Sequence, residues 1–399
     1  MMKSRFDIFI FIISLFIPLI FISDGLAKYF LVHGVDFGRV TLFVRLIFEI
    51  IIVFYLRFRI NLTNLKIFLL ILTLLGMTLL GQMLIGSNHN IIENLITFNK
   101  YIFIFIIFIF FKRLLGYSEK KKKFVFTILN VLFATNILFI FLGFIFEIEF
   151  FKTFYHKDYR FGYDGIFKAG NEASYVMISM LAYLYYKAFY EKGNKYLLVF
   201  ALLASLLSGL KAVYAFIGIL AIYHVAKKLK MIYLLLLVPI VIFSYGYLLE
   251  YIMSEQFQHL ISFFQHTYEE HGLIYMVLSG RNEILAHESL EVMSHWTWLN
   301  YLIGGVDTST YWMEMDFFDL ILFFGIFGTL IYGYVFYTLF IRYPYVDGYP
   351  YFFIFSILSL AFFGGHFLTS PTAALYFTLT LIYLQNKKLE KNEKNIINK

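Results

Sequence analysis

Apolar runs of bilayer-crossing length recur along almost the whole chain, and they constrain its fold more than any motif does. A helix needs roughly 20 apolar residues to cross a hydrocarbon core. Stretches near that length, each set off by a polar break, lie at 7–23, 40–56, 66–85, 95–111, 124–146, 172–190, 196–209, 212–226, 231–249, 317–341, 350–366 and 371–385. Stretches 196–209 and 212–226 are short and separated only by Leu210 and Lys211. Two tilted spans meeting in a tight turn and one broken helix both fit that pair. With 61% hydrophobic and 15% charged residues, a water-soluble domain would lack polar surface to cover itself. The expected fold is an all-α polytopic membrane protein of about 12 transmembrane helices.

The basic residues set the expected topology. Lys3 and Arg5, Arg57 and Arg59, Lys112 and Arg113 with the run 120–123, Lys187, Lys192 and Lys195, Lys227, Lys228 and Lys230, Arg342, and the basic tail 386–399 occupy every second connection. Positive residues accumulate on the cytoplasmic side. Twelve spans with both termini in the cytoplasm satisfy the alternation, whereas eleven place one cluster on the wrong side. The net charge of +7 is thereby used up by topology, and no nucleic-acid partner is expected. The first run resembles a signal peptide, but "FISDGLAKYF" offers no small-x-small cleavage site, so it reads as an anchor. No Cys is present, which removes disulfides and thiolate metal sites. Residues 1–399 read as a single membrane domain with two long extracytoplasmic connections, 147–171 and 250–316. The second, between spans nine and ten, is the larger. Long connections are uncommon unless functional.

Cations that topology does not explain are the informative ones. They are Arg160 and Lys168 in the first long connection, Lys211 in the tight turn "LLSGLKAVYAF", and Arg281 in "MVLSGRNEIL". Arg281 is the only Lys or Arg between Met231 and Ile341. Arg45 and Lys100 fall inside spans, where ionisable groups are costly; pairing or snorkelling accounts for them. Arginine grips phosphate with a planar fork, so cations gathered at the outer face suit a lipid-linked pyrophosphate.

Carboxylates open the tenth span in "STYWMEMDFFDLILFFGIFGTLIYGY". Asp316 and Asp319 share a helix face, and Glu314 and Asp316 flank its entrance. Acids complementing the helix dipole and a general base for an acceptor hydroxyl both fit. Gly325 and Gly328 allow close helix packing. His366, in "FFGGHFLTSPTAALY", precedes Pro371, which is suited to opening the last helix. His259, His266, His271, His287 and His295 show no metal-ligand spacing. Tyr268, Tyr275, Trp296, Trp298, Tyr301 and Trp312 fit sugar stacking and an interfacial belt alike.

Four segments together resemble the O-antigen polymerase and O-antigen ligase superfamily, closest to the Wzy-type repeat-unit polymerases. "YRFGYDGIFKAGNEASYVMI" (159–178) is similar to the family's Arg…Gly…Asn segment leading into a span. "LLSGLKAVYAFIGIL" (206–220) is similar to its Ser-Gly-x-Arg/Lys-Ala turn. "LSGRNEIL" (278–285) is similar to the Ser-Gly-Arg of its large periplasmic loop, and "EMDFFDLILFFGIFGTLIY" (314–332) to the helix that follows. Their order covers essentially the whole chain.

The resemblance implies a GT-C-like bundle in the bacterial inner membrane, acting as a metal-independent glycosyltransferase without a cofactor. Its donor would be an oligosaccharide on undecaprenyl pyrophosphate, and its acceptor a sugar hydroxyl of another lipid-linked unit. Membrane lipids are implied partners, and a polysaccharide chain-length regulator is admitted as a further one. Arg160, Lys211 and Arg281 match the family's basic positions and would contact the diphosphate, with Asn171 and Asp319 as further substrate contacts. The ligases carry a His-Asn pair ahead of the span where this chain has Glu314-Met315. The base is therefore left among Glu314, Asp316 and His366, and polymerase is favoured over ligase. A transporter or flippase of lipid-linked sugars is the competing class. Transporters often show internal repeats and broken helices in matching halves, and no repeat is visible here.

Overall fold

The computed structural model describes residues 2–35, 39–57, 61–86, 90–116, 118–155, 160–228, 255–311, 314–342, 345 and 347–385. The expected span 231–249, Trp312 and the basic tail lie outside the described residues. Within them the chain is helical, with no strand and a single isolated bridge between Lys152 and Tyr163.

The helices follow the apolar runs closely: α1 Met2–Val32, α2 Val40–Arg57, α3 Leu62–Leu84, α4 Ile91–Leu115, α5 Glu119–Phe146, α6 Gly170–Phe189, α7 Tyr196–Leu206 and α8 Lys211–Lys228. After them come α9 Glu255–Leu278, α10 Arg281–Ser294, α11 Trp298–Ile303, α12 Asp316–Phe336, α13 Tyr349–Gly364 and α14 Pro371–Gln385. The 196–226 pair is thus two helices with a turn between them. Asn61 and Asn90 cap α3 and α4, accepting from the N–H of Asn64 and Glu93, as short polar side chains do at helix starts. Pro371 opens α14, where its missing N–H costs nothing.

Among the described residues five helices are long and apolar enough to cross a membrane: segments Leu15–Val32, Asn64–Leu84, Ile91–Leu115, Glu119–Phe146 and Asp316–Ile341. The helix surfaces agree with a lipid solvent. Phe43, Leu72 and Val131 are 63%, 60% and 57% exposed, a placement water would penalise. At the centre, α14 packs against α6 and α4, and Phe103, Phe105, Phe108 and Phe110 of α4 are fully buried. A helix apolar on every side belongs in such a centre.

The 255–315 connection is built of helices and returns into the bundle. Its α11 wedges between α3 and α12. Asn300 Nδ2 donates to the carbonyls of Gly81 and Gly304 at 3.1 and 2.9 Å, and Gln82 Nε2 donates to Val306 at 2.8 Å. Further on, Thr308 donates its N–H and hydroxyl to Asn94 Oδ1. The wedge needs a notch in α12, and Gly325 makes it with φ 67 and ψ −175. A Cβ on Gly325 would stand 2.3 Å from the Gly304 nitrogen. Both the backbone angle and the space therefore require glycine. Gly325→Ala is expected to destabilise the protein by about 3 kcal/mol, read as a lower melting temperature in detergent, while Gly333→Ala, which meets nothing within 4 Å, leaves it unchanged.

Candidate active site

One end of the bundle collects the polar groups. Asp24 near the end of α1, Arg45 and Thr41 at the start of α2, Lys100 in α4, Glu172 in α6 and Thr372 in α14 all line one cavity. The starts of α2, α4, α6 and α14 therefore face the same side, together with the end of α1.

Beside that cavity the loops dock on one another through backbone. The connection before α6 is anchored by a fully buried ion pair between Lys28 and Asp164, with Lys28 also donating to the Gly165 carbonyl. Burial pushes the Asp164 carboxyl up to about 6, against the pull of Lys28. Loss of either partner would strand a buried charge, which is strongly destabilising. Thr153 Oγ1 donates to the Ser208 carbonyl at 2.8 Å, and the Tyr163 N–H to that of Leu207 at 2.8 Å. The first long connection is thus tied to the turn ahead of α8.

Contact at that turn explains the Ser-Gly-x-Lys sequence. Gly209 has φ +68, and a Cβ there would lie 2.0 Å from the Phe161 carbonyl oxygen and 2.9 Å from Gly162 Cα. Only glycine permits this approach, and it brings the segment following Arg160 against the segment preceding Lys211. Arg160 lies over the Phe154 ring at 4.1 Å, a cation–π arrangement.

Lys211 then reaches the third segment. Its Nζ donates to the Met276 carbonyl and, at 3.0 Å, to Ser279 Oγ. Ser279 is the serine of Ser-Gly-Arg, so the motif's hydroxyl receives the lysine of the preceding turn. Burial first, and then the positive charges of Arg160 and Arg281, lower the Lys211 ammonium to about 8. Like charges act this way only at close quarters. Arg160, Lys211 and Arg281 accordingly share one electrostatic neighbourhood. Because Lys211 loses its proton as pH rises through about 8, binding of an anion to this trio weakens on the alkaline side. The affinity for inorganic pyrophosphate is expected to fall as pH rises through about 8, and Lys211→Arg is expected to move that fall upward, since a guanidinium stays charged.

Arg281 opens α10 and donates from Nη2 to Glu314 Oε2 at 2.9 Å. Glu314 has φ 56 and His366 φ 67, conformations costly for residues with a side chain and concentrated at functional sites. The Gly365 backbone packs directly on the Glu314 carbonyl, and Tyr175 Oη donates to the Gly365 carbonyl at 3.0 Å. α13 ends at Gly364, so His366 stands in the loop beyond it. Burial pushes its imidazole below the usual range; Glu314 pulls it up, and Arg281 and Lys100 push it down. A neutral imidazole beside two cations is a competent proton acceptor.

The remaining expected site residues take other positions. Asp316 is buried, and its Oδ2 accepts the N–H groups of Phe367 and Leu368 at 2.7 and 3.0 Å. Through Oδ2 it holds the His366 loop, while its buried Oδ1 has no hydrogen-bond partner among the described residues. Asp319 Oδ2 accepts the Met315 N–H at 3.1 Å, as an acid in the first turn of a helix does. Asn171 lies half-buried in the first turn of α6. Among the aromatics, Trp296 donates to the Gly305 carbonyl, Tyr275 stacks on His271 at 4.2 Å, and Trp298 is 72% exposed.

Sequence reasoning passed over the cavity of about 450 Å³ itself. Arg39, Arg45, Lys100 and Lys168 line it with Asp24, Glu93 and Glu172, and His366 forms part of its wall. The available signal was the cost of Arg45 and Lys100 within apolar runs. Compared with family models, curated proteins and solved structures, the chain matches none of them.

Proposed function

We propose that the protein is a membrane glycosyltransferase that polymerises lipid-linked oligosaccharide repeat units. The reading is carried by one observation: Arg160 and Arg281, from two other connections, lie within electrostatic reach of Lys211 at one end of a helical bundle, and Arg281 is in turn within electrostatic reach of the half-buried His366. The trio would hold the diphosphate of an undecaprenyl-linked donor and stabilise the charge developing on it as it departs. An acceptor sugar hydroxyl would attack the anomeric carbon, form the new glycosidic bond and expel the diphosphate. His366 would take the hydroxyl proton. Glu314, paired with Arg281 in the absence of substrate, would yield the guanidinium to the donor.

On this reading the chain has twelve spans with both termini cytoplasmic and the site at the outer face of the inner membrane. Binding donor and acceptor together would supply much of the acceleration through orientation. Purified protein given lipid-linked repeat units alone is expected to produce a size ladder. Transfer appearing only after lipid A core is added would assign it to the ligases instead. The ion-lined cavity between helices favours a second reading, a transporter or flippase of lipid-linked sugars. That reading requires transbilayer movement of the lipid in proteoliposomes and no ladder.

A further inference from the structure

The seam between α2 and α4 changes character along its length. Over their second halves the two helices are sealed by rings, with Phe48 on Phe110 at 5.8 Å and Tyr55 on the same ring at 5.3 Å. One turn nearer the cavity Asn99 donates to Glu49 at 2.8 Å, and Glu49 pairs with Arg45 at 3.5 Å. Over their first halves the cavity takes over: Thr41 and Leu42 of α2 and Ile96 and Thr97 of α4 all line it. At its rim Arg39 Nη2 stands 3.9 Å from Glu93 Oε1, with the Arg39 side chain 80% exposed. Ion pairs so open to solvent hold little, so the first halves of the seam are weakly closed.

Outside that rim the surface is apolar. Phe43 lies one turn from Arg39 and Ile92 one turn from Ile96, so each shares a helix face with a residue that lines the cavity. Ile92 is 70% exposed, and Phe43 begins a row with Ile47, Ile50 and Phe54 in which each side chain is more than half exposed. An exposed apolar row of this kind marks a membrane contact. From outside inwards the seam thus offers apolar surface, a charged rim and a polar space of about 450 Å³, the size of a small-ligand pocket. His366 lines that space and lies within the electrostatic reach of Arg281 and Glu314. Arg160, Lys211 and Arg281 are not among the described residues that line it.

We propose that the seam between the first halves of α2 and α4 is the docking site of the lipid-linked acceptor. Its polyprenyl chain lies along Phe43 and Ile92, its diphosphate meets Arg39, and its sugar enters the cavity and reaches His366. The inference rests on the glycosyltransferase reading above and adds the place of the second substrate to it. Drawing a polyprenyl chain into water is costly, so a sugar anchored on one has to enter a site from the bilayer side. Guanidinium at the rim suits the phosphates that follow the chain. Donor and acceptor then approach the imidazole from different sides, the donor from the cation trio and the acceptor through the cavity.

The chain has no Cys, so one introduced thiol marks one position. Ile92→Cys at the seam and Ile145→Cys, at an exposed apolar position near the end of α5, would each carry a benzophenone in the full-length protein. Both would be irradiated in liposomes holding radiolabelled lipid-linked repeat units. The labelled lipid is expected to join Ile92→Cys about tenfold more than Ile145→Cys, the ratio that a tenfold affinity difference gives. Arg39→Glu, a change at an exposed position, is expected to lower that adduct by about tenfold through loss of the phosphate contact. Arg281→Ala is expected to keep it, because the trio holds the donor. Equal labelling at the two positions, or an adduct indifferent to Arg39→Glu, overturns the inference. So does an adduct lost with Arg281→Ala, since the lipid at the seam would then be the donor. A size ladder without a selective adduct sinks the inference alone. A selective adduct without any ladder sinks the transferase reading and leaves a docking seam for a lipid-linked sugar.

Discussion

Arg281→Ala is expected to lower kcat/KM for chain extension by about 10²–10³-fold while leaving the melting temperature within a few degrees of the parent. The size of the first effect is that of removing one fixed donor from a developing anion. The second follows from the partner. Glu314 is 44% exposed, and ion pairs open to solvent on one side contribute little to stability. The two readouts together separate a ligand-binding arginine from a structural one. Arg281→Lys is expected to recover only part of the rate, because an ammonium lacks the planar two-pronged grip. An Arg281→Ala protein that still builds full-length ladders would remove the trio from the chemistry.

His366→Gln is the second large effect, with a loss of about 10²-fold or more, within the range for a general base. Its pH signature has a definite sign. Burial lowers the imidazole's proton affinity, so the neutral, proton-accepting form persists below the ordinary histidine range. Activity of the parent should fall only as pH drops through that lowered value. The variant should lose this acid limb along with its rate. Asp316→Ala, which frees the Phe367 and Leu368 N–H groups, should reduce rate and stability together, because it releases the loop that carries the histidine. A parent profile flat into the acid range, or a variant that keeps its acid limb, would assign the base elsewhere.

The helices were legible because hydropathy is a local property and the bilayer rewards it at each residue. Their ends were less so. The first apolar run, 7–23, stops before Asp24, yet α1 continues to Val32. Asp24 and Lys28 are buried there because Thr372 and Asp164 receive them, partners 348 and 136 positions away in sequence. No local pattern carries that information. Arg160, Lys211 and Arg281 stood out by violating a charge rule, and in the fold Lys211 lies within electrostatic reach of the other two. Arg45 and Lys100 violated a rule as well, but pairing with neighbours explained them equally at the level of sequence. Only the arrangement of α1, α2, α4, α6 and α14 reveals that they line a common space. Asp316 illustrates the converse. Its position at a helix start suited a base, and only the fold shows that the loop folded over it takes up one of its two oxygens and leaves the other buried without a partner among the described residues.

The central claim is that three cations from separate connections grip one diphosphate. Equilibrium binding of undecaprenyl diphosphate and undecaprenyl monophosphate to the parent and to Arg160→Ala, Lys211→Ala and Arg281→Ala tests it most directly. Each variant is expected to weaken the diphosphate by about tenfold or more, consistent with loss of a charge-assisted hydrogen bond, and to affect the monophosphate far less. Unchanged diphosphate affinity in all three, or equal losses for both lipids, would contradict it.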